Sequence, residues 1–252
     1  MKEQKKYAIS VIAGLLTIIV SSIILFSSGS YAVYTADTAK RKLPVYGVGR
    51  DDGALSISFD CAWGTDYTDK ILDTLDFYNV KATFFVVQFW AEKYPDYLKK
   101  IVGRGHEVGT HSKTHPKMSK LSAEEIEGEL KSSVAAIENV TGQKVKLFRP
   151  PFGDYDDKVI TAAENLGLYT IQWNVDSLDW KNLSAEQIAA RVIKKAGSGS
   201  IILMHNNGLH TAESLPLIFT ATQQKGLVYR PIGELIYTDD FRITPDGTQI
   251  KN

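Results

Sequence analysis

The chain has 252 residues, 44% of them hydrophobic and 23% charged, which describes a packed globular protein of one large or two small domains and excludes a mainly disordered chain. Lysine and arginine number 29, as do aspartate and glutamate, so no net charge attracts nucleic acid. A single cysteine, Cys61, excludes an intramolecular disulfide and leaves stability to the core.

Taken from the start, residues 7–26 read YAISVIAGLLTIIVSSIILF, an uncharged run long enough to cross the ~30 Å hydrocarbon core as a helix. Lys2, Lys5 and Lys6 precede it, an arrangement that keeps the N-terminus in the cytoplasm and carries the rest outward. Ser30 and Ala32 also satisfy a small-x-small cleavage rule, but the apolar part of a signal peptide spans only about 7–15 residues, and the length favours a retained anchor. Residues 1–32 are thus a signal anchor or a signal peptide, and the folded part lies on the membrane's outer face or is exported. Setting aside Lys2, Lys5, Lys6 and Glu3 leaves 26 basic and 28 acidic residues in that part.

Residues 33–50 are polar and read as a linker. From residue 51 to about 240, short apolar runs alternate with amphipathic stretches: ALSISF (54–59), a helix over 68–78, ATFFVV (82–87), a helix ending near Arg104 and EVGT (107–110). A helix opened by a Ser122–Glu125 capping box follows, then LF (147–148), a helix from Asp156, YTIQWNV (169–175), a helix opened by Ser184 and Gln187, and SIILM (200–204). About seven βα units predict an α/β fold, a single barrel-like domain rather than an open sheet, with residues 241–252 as a tail.

Polar residues stand directly after the predicted strands: Asp60, His111 and His115, Arg149, Asp176 and Asp179, and His205. The ends of parallel barrel strands share one mouth, so these side chains should converge. His111 and His115, four apart in HSKTH, would share a face if they occupy one helical turn, and zinc takes imidazole nitrogen readily; a pair of turn histidines without metal is the bland alternative. Asp60 could accept a proton from a metal-bound water, and a carboxylate such as Asp179 bonded to His205 would hold the imidazole protonated for a departing amine. Arg149 opens the rigid turn RPPFG (149–153) and can orient a carboxylate. His106 reads as structural and His210 as part of a loop over the mouth. Of the tryptophans, Trp63 can stack on sugar or fill the barrel end, Trp180 leans to the site and Trp173 to the core.

SFDCAWG (58–64), HSKTH (111–115), RPPFG (149–153), DSLDW (176–180) and ILMH (202–205) together resemble the five ordered motifs of the polysaccharide deacetylases, the NodB-homology group of carbohydrate esterases. The resemblance spans roughly residues 50–236. It implies a distorted (β/α) barrel of about seven strands and hydrolysis of N-acetyl groups on cell-wall glycan, with N-acetylglucosamine and N-acetylmuramic acid both open as substrate. By the same resemblance Asp60 is the base, His111 and His115 bind a divalent metal, zinc or alternatively cobalt, and Arg149 positions Asp60. Asp179 tunes His205 as the acid, Leu203 lines the acetyl pocket, and Phe152 offers its backbone N–H to the oxyanion.

One position departs from the pattern. The family places two consecutive aspartates in its first motif, the second a metal ligand, whereas here Asp60 is followed by Cys61. Cys61 is either a thiolate ligand or a small buried residue that never meets the metal. FDCAWG is similar to the sporulation-associated, PdaB-like branch, which implies a role in spore cortex or envelope assembly. Two functions follow as expectations: an N-deacetylase, or a membrane-anchored glycan-binding pseudoenzyme.

Overall fold

The computed structural model describes residues 41–252, and the predicted membrane-crossing helix lies outside them. Among the described residues no helix is long and apolar enough to cross a membrane.

The centre of the fold is strand β2 (Ala54–Cys61), eight residues that are all buried. Its alternation sets the two layers of the protein. Leu55, Ile57, Phe59 and Cys61 face the helices and join one apolar cluster, while Ser56 and Ser58 turn the other way and give their hydroxyls to the carbonyls of Arg230 and Ile202. Strand β1 (Gly47–Val48) precedes it, helix α1 (Thr68–Phe77) follows, and β3 (Thr83–Val86) lies parallel to β2.

Helices α2 (Gln88–Lys93) and α3 (Pro95–Gly103) lead to β4 (Glu107–Thr110). Helix α4 (Ala123–Thr141) is opened by the expected capping box, Ser122 and Glu125 bonding reciprocally, and is closed by Gly142 at φ 68°. After β5 (Leu147–Phe148), α5 (Asp157–Asn165) begins at Asp156, whose carboxylate accepts the Val159 N–H. Strands β6 (Tyr169–Thr170) and β7 (Val175–Asp176), helix α6 (Ala185–Lys195) with its Ser184–Gln187 capping box, and β8 (Ile201–His205) complete the main sheet. Helix α7 (Thr211–Gln224), β9 (Val228–Tyr229), α8 (Ile232–Leu235), β10 (Phe241–Ile243) and β11 (Thr248–Lys251) follow.

The seven strands run parallel in the order β6-β5-β4-β3-β2-β8-β7, with β9 added beside the start of β2. The run 169–175, expected as one strand, is two. β6 pairs with β5 at one edge of the sheet and β7 with β8 at the other, so Ile171–Asn174 carries the chain between the edges. A four-residue bridge spans at most about 14 Å, so the sheet must roll up into a distorted half-barrel. The polar Gln172 and Asn174 make the crossing possible, Gln172 through the Gly153 carbonyl and Asn174 through the Ile201 N–H.

Two segments expected outside the domain belong to it. Residues 241–252, read as a tail, form the β10–β11 hairpin, and β11 pairs in parallel with β1, drawn from the supposed linker. Val45 and Val48 are buried with Ile171, Ile201, Ile232 and Leu235 in a second apolar cluster. Hydrophobic alternation in these pieces is too short to signal a strand, and pairing across some 200 residues leaves no local trace.

Candidate active site

The strand ends deliver their polar side chains to one cavity of about 560 Å³, lined by Asp60, Ala62, Trp63, His111, His115, Phe152, Trp173, Asp176, Trp180, Leu203, His205 and Asn207. Asp60 and His205 stand on adjacent strands in direct register, which places the two groups side by side.

On one side, Arg149, wholly buried, donates from Nη1 to Asp60 Oδ1 at 2.8 Å and from Nη2 to the Gln172 carbonyl at 3.1 Å, its guanidinium lying 4.1 Å over the Phe85 ring. Burial opposes charge on Asp60, but Arg149, with His111 and His205, outweighs it and holds the carboxyl below its ordinary range. On the other side Asp179, also wholly buried, accepts from His205 Nδ1 at 2.7 Å, the His205 N–H at 2.7 Å and the Thr211 hydroxyl at 2.6 Å. Burial opposes protonation of His205, and the hydrogen bond and charge of Asp179, aided by Asp60 and Asp176, more than offset it, raising the imidazole's pKa.

The HSKTH segment is not a helical turn. Ser112 and His115 have φ of 70° and 61°, and the loop is pinned by Glu129 of α4, which accepts the N–H groups of Lys113 and Thr114 and the Thr114 hydroxyl. The two imidazoles still meet, with ring centres 4.9 Å apart. His111 Nδ1 bonds to the Arg149 carbonyl at 2.7 Å, which makes Nδ1 the protonated nitrogen and turns the Nε2 lone pair toward the cavity, 3.5 Å from Asp60 Oδ2. Burial lowers the pKa of both rings, His115 to about 4, so both are neutral ligand forms at physiological pH.

Cys61 does not join them. The pleat of β2 continues through residue 61 and turns its side chain into the helix-facing cluster with Phe59, where among the described residues the one hydrogen-bond partner of Sγ is the Phe59 carbonyl at 3.8 Å and burial pushes the thiol well above its ordinary pKa. Of the two readings of Cys61, the structure gives the small buried residue, its thiol protonated, and not the thiolate ligand. Among the described residues no three His, Cys, Asp or Glu side chains gather as a metal-binding set. A catalytic zinc takes three protein ligands, so His111 and His115 fit two of the three positions and the third is unfilled.

Phe152 sits at φ 60° in the 3₁₀ turn Pro151–Gly153, its ring 4.6 Å from His115, and Trp63 flanks the other side of His115 at 5.0 Å. The buried Leu203 and the exposed Trp180 both line the cavity. Trp173, expected in the core, does both tasks, lining the cavity while packing 5.6 Å from the Arg149 guanidinium. His106 is structural, its Nδ1 accepting the Ala82 N–H in a buried pocket that lowers its pKa to about 4. His210 bonds to Glu213 outside the cavity lining. Of the seven described non-glycine residues with positive φ, Ser112, His115, Phe152 and Leu178 belong to the loops around this cavity, the concentration expected where side-chain placement overrides backbone preference. Glu129, Thr211 and Asn206, which donates its N–H to the Asp60 carbonyl, escaped sequence reasoning because nothing local marks them.

The family model of the polysaccharide deacetylases matches residues 47–171, which carry Asp60, His111, His115 and Arg149 but not Asp179 or His205. The chain is 31% identical over 191 residues to the peptidoglycan-N-acetylmuramic acid deacetylase PdaA of Bacillus subtilis, covering 74% of this chain and 73% of PdaA. This chain belongs to the polysaccharide deacetylase family. It is also 34% identical over 194 residues to the peptidoglycan-N-acetylglucosamine deacetylase PgdA of Listeria monocytogenes, covering 77% of this chain but only 41% of PgdA. Among solved structures it is similar to BA3943 of Bacillus anthracis, a CE4 family pseudoenzyme, with 36% identity, a TM-score of 0.74, and coverage of 76% of this chain and 68% of that one. A BA3943 mutant with restored enzymatic activity is 38% identical, with the same TM-score. Deacetylases of this family thus frame the chemistry of the cavity.

Proposed function

We propose that the protein removes N-acetyl groups from cell-wall glycan, acting outside the cytoplasm from an N-terminal membrane anchor or as an exported domain, in spore cortex or envelope formation. The observation that carries this reading is the pair Asp60 and His205, set side by side in one cavity with their protonation states driven apart by Arg149 and Asp179. An ionised carboxylate and a protonated imidazole are what amide hydrolysis requires. Asp60 takes the proton of the attacking water, and His205 gives a proton to the sugar nitrogen as the C–N bond breaks, so that acetate and a free amine leave. Phe152 turns its backbone toward the developing oxyanion, and Leu203 receives the acetyl methyl. His111 and His115 would hold a divalent ion, zinc or in its place cobalt, which supplies Lewis acidity toward the carbonyl oxygen and water.

A second reading is favoured by one observation. Cys61 lies in the core where the family has a ligand, and BA3943, a relative described as a pseudoenzyme, is similar over three quarters of the chain. On this reading the protein binds glycan at the membrane without turning it over.

Acetate release from N-acetylated oligosaccharides and peptidoglycan, with added Zn²⁺ or Co²⁺ and beside His111→Ala and Asp60→Asn, separates the two. Metal-dependent release lost in both variants is the expected result. Glycan binding without release from any substrate would establish the second reading.

A further inference from the structure

Each backbone N–H from His111 to His115 has an acceptor, and the acceptors divide the histidine loop in two. His111, directly after β4, gives its N–H to the Val86 carbonyl at 2.9 Å and its ring Nδ1–H to the Arg149 carbonyl at 2.7 Å. Ser112 gives its N–H to Thr110 Oγ1 at 3.2 Å, and its carbonyl accepts the Gln88 N–H at 3.1 Å. His111 is thus fixed by the sheet and by the turn that carries Arg149.

The stretch between the two histidines is held differently. Lys113 and Thr114, both exposed, give their N–H groups to a single carboxylate oxygen, Glu129 Oε2, at 2.9 and 2.8 Å, and the Thr114 hydroxyl goes to Oε1 at 2.7 Å. Glu129 stands on the 19-residue helix α4, one turn before Ser133, which accepts the Thr110 hydroxyl at 2.6 Å. His115 follows, its N–H on Ser112 Oγ at 3.0 Å and its ring packed against Phe152 and Trp63. Ser112 and His115 lie at φ 70° and 61°, left-handed conformations that cost free energy in such residues and persist only where partners enforce them.

We infer that Glu129 is a positioning residue for metal binding: from outside the cavity lining it sets where His115 stands relative to His111, and so how tightly the imidazole pair retains a divalent ion. This rests on the metal-dependent reading proposed above. Cys61 lies in the core and no third ligand joins the pair among the described residues, so retention depends on how well two imidazoles are held. Removing the Glu129 carboxylate frees two N–H groups and a hydroxyl, all between the two ligands and open to water. The loop then relaxes from its left-handed turns and carries His115 with it, while His111 keeps its own partners.

The test is the zinc affinity of the full-length protein in detergent, read by competition with a chromophoric chelator. Wild type is compared with Glu129→Ala, Glu129→Gln, His115→Ala and each Glu129 change combined with His115→Ala. The expected result is binding weakened about 10–100-fold in Glu129→Ala, and about threefold in the isosteric Glu129→Gln, whose neutral oxygen is a weaker acceptor. Without His115 either change should cost less than about twofold, because the ligand that Glu129 places is gone. In metal-free protein labelled with ¹⁵N at histidine, Glu129→Ala should shift the His115 ring signals and leave the His111 Nδ1–H in place. Zinc bound by wild type and held equally well by both Glu129 variants overturns the inference and leaves the metal-dependent reading standing. Equal losses with and without His115 also overturn it, since they mark a general loosening of the fold. If Glu129→Ala does not fold, Glu129→Gln decides by the same criteria. No zinc bound by the wild-type protein overturns the inference and the metal-dependent reading together.

Discussion

The two halves of the cavity are built to different degrees. On the acid side, Asp179 is wholly buried with three donors upon it, and the chain around it leaves room for nothing else: a Cβ added at Gly208 would lie 2.2 Å from the Thr211 hydroxyl oxygen and 3.1 Å from Asp179 Oδ2. On the metal side, two imidazoles are presented by a loop with two left-handed residues, and the position that should complete them points into the core. The Asp60–Arg149 and His205–Asp179 pairs are thus fixed by short hydrogen bonds, while the two imidazoles have no third ligand among the described residues.

The largest effect should come from removing the complete half. Asp60→Asn and His205→Ala are each expected to lower any acetate release by about 10²–10⁴-fold, measured with metal in excess so that the loss belongs to proton transfer. An unchanged rate in either variant would remove the acid–base argument. Next comes completing the incomplete half. Cys61→Asp should raise zinc affinity by at least about tenfold and increase turnover, read by metal titration and acetate release. If the new carboxylate stays in the apolar cluster, the variant instead loses stability without gaining metal, and the contrast between the halves is then set by the course of β2 rather than by one residue.

The pH dependence of activity sharpens the same comparison. Asp60 is held below the ordinary carboxylate range and His205 above the ordinary imidazole value, so activity should be bell-shaped. It should fall in acid as Asp60 protonates and again in alkali as His205 loses its proton. The stability each pair contributes has the same limits. The Asp60 share is present above the carboxylate's unfolded pKa and lost as pH falls through its lowered folded value. The His205 share is complete below about 6.5 and lost as pH rises through its raised folded value. Asp179→Asn should move the alkaline limb to lower pH and leave the acid limb in place. The smallest effect is expected from Thr211→Val, which leaves one buried carboxylate oxygen short of a donor and should cost about 1–2 kcal/mol in chemical denaturation.

Much of this was legible in the residues. Strand-end polar side chains in parallel βα order foretold the convergence of Asp60, His111, His115, Arg149, Asp179 and His205, and Ser122, Asp156 and Ser184 marked their helix starts through capping chemistry that is wholly local. Direction at Cys61 was harder to read, because whether a strand's pleat persists for one more residue decides which layer a side chain enters. The split of 169–175 across the two sheet edges, and the roles of Glu129 and Thr211, depend on partners 15 to 32 residues away. No periodicity encodes them.

The pairing of β1 with β11 has a consequence in time. Gly47 and Val48 find Thr248 and Gln249, so β1 is completed by residues made some 200 positions later. A chain that emerges N-terminus first can pair β2 with β3, and β3 with β4, as they appear, but it cannot seat β1 on this small sheet until Thr248 and Gln249 have been made. This small sheet therefore closes only after translation or export has delivered β11, and termination near residue 240 leaves β1 without its partner.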